Sequence, residues 1–233
     1  MIEKLKDFLY WLLFCNHCGI CGATIKRNEE ICHDCSENLP RIADDKCKYC
    51  GAEKIRCNCK NHKNMYDGIT APFYYEGIIA KRIADFKFHG QEYLAKPFAK
   101  EMAESVKNDF ENIDFDLVCY VPFTKNQKRR YNQSELLARN IAESLNIPLK
   151  PVMVKILDNE SQHKLDIIRR RGNVFGVYDV CEDVHGKVIL LVDDIKTTGS
   201  TLDSCATILK IRGAEKVYGV TFALAGVKQG NKE

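Results

Sequence analysis

Between positions 193 and 201 the chain gathers two carboxylates, four hydroxyls and a glycine: Asp193, Asp194, Thr197, Thr198, Gly199, Ser200 and Thr201. Hydroxyl donors at the start of a helix, where unpaired amides carry partial positive charge, suit an anion, and Gly199 lets the backbone close around it. Carboxylates repel a phosphate. They do accept hydrogen bonds from vicinal ribose hydroxyls, and they hold Mg²⁺ through oxygen or water. The combined chemistry is that of a phosphorylated ribose. Ordinary helix capping needs one hydroxyl and no paired acids, so it accounts for less of the pattern. The chain contains no Walker A sequence, which removes a nucleotide triphosphatase P-loop from competition.

The elements that must position these residues are legible around them. Five aliphatic residues, 188–192, are long enough for a strand buried on both faces, and residues 200–212 read as a helix. The acids are therefore expected in a strand-to-helix loop, where open parallel α/β sheets bind ligands. A second buried strand, 117–121, is stopped by Pro122 and feeds a basic segment, 123–133, ahead of a helix at 134–145. In a parallel sheet this segment opens on the same edge as the acids, so that Lys125, Lys128, Arg129 and Arg130 face a diphosphate. A solvated basic loop and contact with a DNA backbone remain open as other uses of the same cations.

Upstream, residues 69–75 read as a strand. A helix from Glu76-Gly77 to near Phe88 carries Lys87 at its end, and 92–107 reads as another helix. Residues 158–172, including Gln162 and Arg170, are polar and basic with no core period, which reads as a lid or as a solvated turn. Strands are expected at 175–180 and at 217–223, the last one closing the sheet. The fold class is α/β, with a mainly parallel sheet flanked by helices. The expected organisation is an N-terminal helix and zinc-binding module at 1–60, a linker at 61–68 and the α/β domain at 69–228.

Nine of the twelve cysteines lie between Cys15 and Cys59. Cys18-x2-Cys21, Cys32-x2-Cys35, Cys47-x2-Cys50 and Cys57-x-Cys59 are paired as a tetrahedral ion requires, and Gly22 and Gly51 permit the tight turns after two of the pairs. Two structural zinc sites of four cysteines each fit the count. Disulfides are the other use of such thiols, although paired spacing is a metal signature. Crossed pairing, with the first and third pairs sharing an ion, stays open, and Cys15 is a spare that competes with Cys21. His17, His33 and His62 read as surface polar residues rather than ligands. Four thiolates leave no position for a catalytic water.

At 233 residues the chain suits one medium domain plus a small module, and a net charge of +3 does not by itself call for nucleic acid. Residues 8–14 are apolar after two lysines. They are too short to span a bilayer and lack a small-residue cleavage site, and bulky Phe14 spoils a lipoprotein box before Cys15. They are expected to form a short amphipathic helix, with no membrane insertion.

The segment 189–201 resembles the phosphoribosyl diphosphate (PRPP) motif of type I phosphoribosyltransferases. The wider chain resembles the ComF family of competence-related proteins, through the cysteine knuckles, Tyr75-Glu76-Gly77, Lys87-Phe88-His89-Gly90, Val121-Pro122, Arg129-Arg130-Tyr131-Asn132-Gln133, Gln162-x2-Leu165, Arg170-x2-Asn173 and the Asp193-Asp194 loop. That family commonly has glycine where Arg130 stands, and a side chain there narrows or recharges the diphosphate pocket. The resemblance implies a cytoplasmic, zinc-bearing protein of DNA uptake in natural transformation, with PRPP and Mg²⁺ at Asp193, Asp194 and 197–201. Its partners would include single-stranded DNA and DNA-translocation proteins. Two functions follow: transfer of phosphoribose to an unidentified nitrogen acceptor with release of diphosphate, or ligand-regulated binding of single-stranded DNA without turnover. In the first, Asp193 and Asp194 orient the ribose, while Lys87, Lys125, Arg129 and Arg130 meet the diphosphate charge.

Overall fold

The computed structural model describes residues 16–26, 29, 31–57, 59, 64–123, 131–156 and 177–226. The cysteine region carries two short strands, β1 (Asn16–His17) and β2 (Thr24–Ile25), and a short helix, α1 (His33–Asn38). There follow β3 (Gly68–Thr70), β4 (Phe73–Tyr74), α2 (Gly77–Phe88), α3 (Ala95–Asp109), β5 (Leu117–Tyr120) and α4 (Gln133–Leu145). The chain continues through β6 (Met153–Lys155), β7 (Tyr178–Val180), β8 (Val188–Lys196), α5 (Ser200–Ile211) and β9 (Lys216–Leu224).

The main sheet has the order β3-β9-β8-β5 with every pairing parallel, and β4 also pairs parallel with β9. Strand alternation divides its side chains between two cores. Leu190 and Val192 pack with Ile79, Phe86, Phe98, Leu137 and Ile141 under α2, α3 and α4. Ile189 and Leu191 pack with Leu202, Cys205 and Leu209 under α5. Both faces are covered, as an apolar run without polar alternation requires.

Four sequence expectations change. β8 runs on to Lys196, so Asp193 and Asp194 lie within a strand rather than in a loop; its ladder with β9 continues through Asp193↔Thr221 and Ile195↔Ala223. The charges do not end the strand because β9 still supplies backbone partners there. The segment 69–75 is two short strands, β3 and β4, interrupted at Ala71 and Pro72. The helix expected from Glu92 begins with a 3-10 turn, Glu92–Leu94, before α3. Finally, β9 is last in the chain but interior in the sheet, between β3 and β8. Its residues Val217, Val220 and Phe222 are fully buried, as an interior position demands.

The cysteine region is built onto the α/β unit. Ile20, Ile25 and Leu39 share the core of Ile79 and Ile83, while Ile42 and Ala52 pack with Ala71, Tyr74 and Leu224. Arg41 forms a two-pronged pair with Glu101 at 2.6 and 3.2 Å, and Lys46 reaches Asp109 at 2.7 Å. The forked Arg41 pair and the shielded Lys46 pair fix geometry more than they add net stability. Among the described residues no helix is long and apolar enough to cross a membrane. The expected helix at 8–14, together with Cys15 and His62, lies outside the described residues.

Candidate functional site

The two acids at the end of β8 have different partners. Asp194 follows Leu190 and Val192 toward α2, where its Oδ1 meets Lys87 Nζ at 2.7 Å. That pair is well shielded, with side-chain exposures of 15% for Lys87 and 11% for Asp194. Asp193 Oδ1 accepts hydrogen bonds from Ser134 Oγ and from the Asp194 backbone N–H, each at 2.9 Å. Burial, reinforced by the Asp194 charge, pushes the Asp193 carboxyl up to about 7, against the hydrogen bonds and the Lys87 cation that favour ionisation. Near neutral pH the pair can therefore hold a proton, and it presents one acid already matched to a lysine.

The start of α4 is stitched into this corner. Asn132 caps the helix, its Oδ1 accepting from the N–H groups of Ser134 at 3.0 Å and Glu135 at 3.4 Å, while its Nδ2 donates to the Val121 carbonyl at 3.3 Å. Gln133 Nε2 donates to the Lys87 carbonyl at 3.3 Å, and the Tyr131 hydroxyl donates to the Phe86 carbonyl. These bonds clamp the last turn of α2 against the first turn of α4. Lys87 and Ser134 thereby approach the acid pair from two helices.

Thr197, Thr198, Ser200 and Thr201 are exposed at the start of α5, with Gly199 buried among them. Gly199 has φ of +86°, and a Cβ there would sit 3.0 Å from Lys196 Cε. Backbone conformation and space both select glycine. Thr198 Oγ1 and Ser200 Oγ are 2.8 Å apart, and the Ser200 N–H donates to Thr198 Oγ1 at 3.3 Å. The turn is anchored from behind, since Asp203 Oδ1 accepts from the Met65 N–H at 2.6 Å. Exposed hydroxyls around a left-handed glycine at a helix N-terminus form an anion cradle.

The structure thus brings together Lys87, Asp193, Asp194 and the 197–201 turn. Lys125, Arg129, Arg130, Gln162 and Arg170 lie outside the described residues. The ends of the basic segment are described: Val121 N–H donates to the Val192 carbonyl at 3.0 Å, and Ser134 reaches Asp193. Parallel pairing of β5 with β8 puts the exit from β5 on the same sheet edge as the acids. The 158–172 segment is bracketed by β6 and β7, which pair antiparallel. Sequence reasoning missed Ser134 and Asn132 as site residues. The available signal was Asn132 with Glu135 three residues later, the spacing of a helix-capping box.

The cysteines form two four-sulfur clusters, Cys18, Cys21, Cys32 and Cys35, and Cys47, Cys50, Cys57 and Cys59, with the sulfurs of each within 4.8 Å of one another. Consecutive pairs share a site, which settles the crossed alternative. Zn–S bonds of about 2.3 Å in a tetrahedron place sulfurs about 3.8 Å apart; Cys21 and Cys32 are at 3.5 Å, Cys50 and Cys57 at 3.7 Å. Burial raises the Cys18 thiol, but amides of Cys21, Cys32 and Ile20 donate to its sulfur and bring it down to about 7. Burial and neighbouring sulfurs push Cys35 and Cys50 above the ordinary thiol range, a crowding that a divalent cation relieves. The donor set fits structural zinc at both clusters. His17 Nδ1 instead lies 3.1 Å from the Gly22 carbonyl, and His33 faces Glu37.

Residues 90–233 match the phosphoribosyl transferase domain family. The chain belongs to that family. Residues 9–64 match the double zinc ribbon domain, in accord with the two cysteine clusters. Competence protein ComFC of Bacillus subtilis is 25% identical over 202 residues, 81% of this chain and 81% of the relative. Competence protein ComFC of Streptococcus pneumoniae is 26% identical over 225 residues, 89% of this chain and 98% of the relative. This is accordingly a ComF-type phosphoribosyl transferase-domain protein with an N-terminal double zinc ribbon. A purine phosphoribosyltransferase from Pyrococcus horikoshii overlaps in structure with 19% identity and a TM-score of 0.37, over 55% of this chain and 70% of that one.

Proposed function

We propose that this ComF-type chain binds PRPP and transfers its phosphoribosyl group to a nitrogen acceptor, releasing diphosphate, in the cytoplasmic handling of DNA taken up during transformation. The observation that carries the reading is the acid pair at the end of β8, held by Lys87 and Ser134 beside the hydroxyl turn of α5. In it the 5-phosphate lies on the amides and hydroxyls of 197–201, and the ribose hydroxyls hydrogen-bond to Asp193 and Asp194. Breaking the C1–O bond develops positive charge on the ribose and negative charge on the departing diphosphate, so fixed charges supply the catalysis and no covalent enzyme intermediate is needed. Lys87 supplies one cation, and Lys125, Arg129 and Arg130 supply others, with Gln162 and Arg170 on the lid. Hard carboxylate oxygens at Asp193 and Asp194 fit Mg²⁺, which neutralises diphosphate charge when it accompanies PRPP.

A second reading, ligand-regulated binding of single-stranded DNA, is favoured by one observation. Phe88, the last residue of α2, and Tyr93, in the 3-10 turn that follows, are exposed aromatic side chains of the kind on which bases stack. Titration calorimetry of PRPP, with and without Mg²⁺, on zinc-loaded protein and on the Asp193→Asn, Asp194→Asn variant tests the first reading. Binding lost in the variant supports it and opens a diphosphate-release screen over amine and nucleobase acceptors. Absence of binding by the parent protein refutes it, and DNA binding that weakens steeply with salt supports the second reading.

A further inference from the structure

Arg82 sits on α2 with its guanidinium used three ways. Its Nε donates to the Ile20 carbonyl, inside the Cys18-x2-Cys21 turn, and its Nη1 pairs with Asp85 Oδ2 at 2.9 Å. Its Nη2 lies against Gly22, where an added Cβ would be 3.3 Å away. The arginine is 13% exposed and Asp85 12%, so the fork is shielded from solvent. Asp85 Oδ1 lies 2.9 Å from His89 Nδ1, one turn farther along. The His89 hydrogen bond, aided by the Arg82 guanidinium, holds the Asp85 carboxyl below the usual carboxylate range against the opposing effect of burial. Between Asp85 and His89 lies Lys87, whose ammonium holds Asp194 and whose carbonyl accepts from Gln133.

We propose that Arg82 is a positioning residue that ties the first cysteine cluster to the acid pair: the Cys18-x2-Cys21 turn holds Arg82, Arg82 with His89 holds Asp85, and Asp85 fixes the helical turn that aims Lys87 at Asp194. This rests on the PRPP reading for its ligand, but the tether itself is a property of the chain. The turn around Ile20 owes its shape to the cluster it belongs to, because the Ile20 and Cys21 amides point at the Cys18 sulfur, which also accepts from the Cys32 amide of the second cysteine pair. Opening the cluster therefore removes the carbonyl that orients Arg82. The shared core of Ile20, Ile79 and Ile83 makes the connection a packed one rather than a single bond. The consequence is thermodynamic: zinc at the first cluster and PRPP at the acid pair favour one another, and by linkage each changes the other's affinity by the same factor.

The test uses full-length protein, with zinc affinity measured by competition against a chromogenic chelator and PRPP affinity by calorimetry. In the parent, saturating PRPP with Mg²⁺ should tighten one zinc ion by about fivefold or more, in the range of ordinary coupling between sites. Arg82→Met keeps the stem and removes the fork. It should still take up zinc at both clusters, bind PRPP more weakly by a similar factor and lose the effect of PRPP on zinc. Lys187→Met, which removes an exposed pair with Asp116, should leave both affinities unchanged. If Arg82→Met fails to fold, the nearly isosteric Asp85→Asn carries the same expectation. Parent-like zinc–PRPP linkage in either variant, or none in a parent that binds PRPP, overturns the tether. A parent that binds no PRPP sinks the site reading instead, and amide hydrogen exchange then decides: faster exchange at residues 86–89 in Arg82→Met supports the tether, and unchanged exchange overturns it.

Discussion

Asp193→Asn should make the ligand-free protein more stable while removing its capacity for PRPP, and the gain should grow with pH. The Asp193 carboxyl is pushed from an ordinary 3.8 up to about 7 by burial and by the neighbouring Asp194. The folded chain therefore binds more protons here than the unfolded chain between about pH 4 and pH 7, so stability from this group is present below the unfolded value and is lost as pH rises through 7. At about 1.4 kcal/mol per pH unit, ionisable Asp193 costs roughly 2 kcal/mol at about pH 5.5 and roughly 4 kcal/mol at about pH 8.5, relative to a neutral side chain of the same shape. Asparagine keeps an Oδ1 for Ser134 Oγ and the Asp194 amide and carries no charge. Thermal unfolding of zinc-loaded parent and variant at the two pH values reads the difference. For a chain of this size, the roughly 2 kcal/mol change between them corresponds to about 4–8 °C of Tm. The cysteine clusters are common to both proteins, so their own pH dependence cancels. A variant that is destabilised, or that gains equally at both pH values, would refute the account of Asp193 as a carboxyl strained by burial beside Asp194.

The shielded Lys87–Asp194 pair predicts a double-mutant signature. Lys87→Met alone strands a buried carboxylate and should cost about 3–5 kcal/mol near pH 8, whereas Lys87→Met with Asp194→Asn should recover most of that loss. Additive losses in denaturant titrations of the three variants would contradict the pairing. The two all-cysteine clusters predict two zinc ions per chain by elemental analysis. Cys50→Ser should lower that to one and leave the first cluster's ion in place, and loss of both ions would mean the clusters are not separate sites.

How much was legible beforehand differs element by element. The run 188–192 announced a strand buried on both faces, because unbroken aliphatics without alternation have no solvent side to offer. The four cysteine pairs announced two metal clusters, since a spacing of one or two residues is a constraint on a single turn. The extent of β8 was not legible: whether Asp193 and Asp194 belong to strand or loop depends on β9, a partner 20-odd residues away whose backbone groups continue the ladder. The interior place of β9 was hidden for the same reason, as order along the chain says nothing of order across a sheet.

The sequence by itself determined the chemistry available: two acids before a hydroxyl turn whose glycine must adopt a left-handed conformation, and sulfurs in tetrahedral spacing. Those are local facts, carried by residue type and by separations of a few positions. Tertiary structure alone decided which charge meets which. It set Lys87 on Asp194, Ser134 on Asp193 and Arg82 on the Ile20 carbonyl, across separations of 107, 59 and 62 residues. Lys87 pairs with Asp194, while burial and the Asp194 charge raise the carboxyl of Asp193, so two adjacent, identical side chains become a paired carboxylate and a protonatable one.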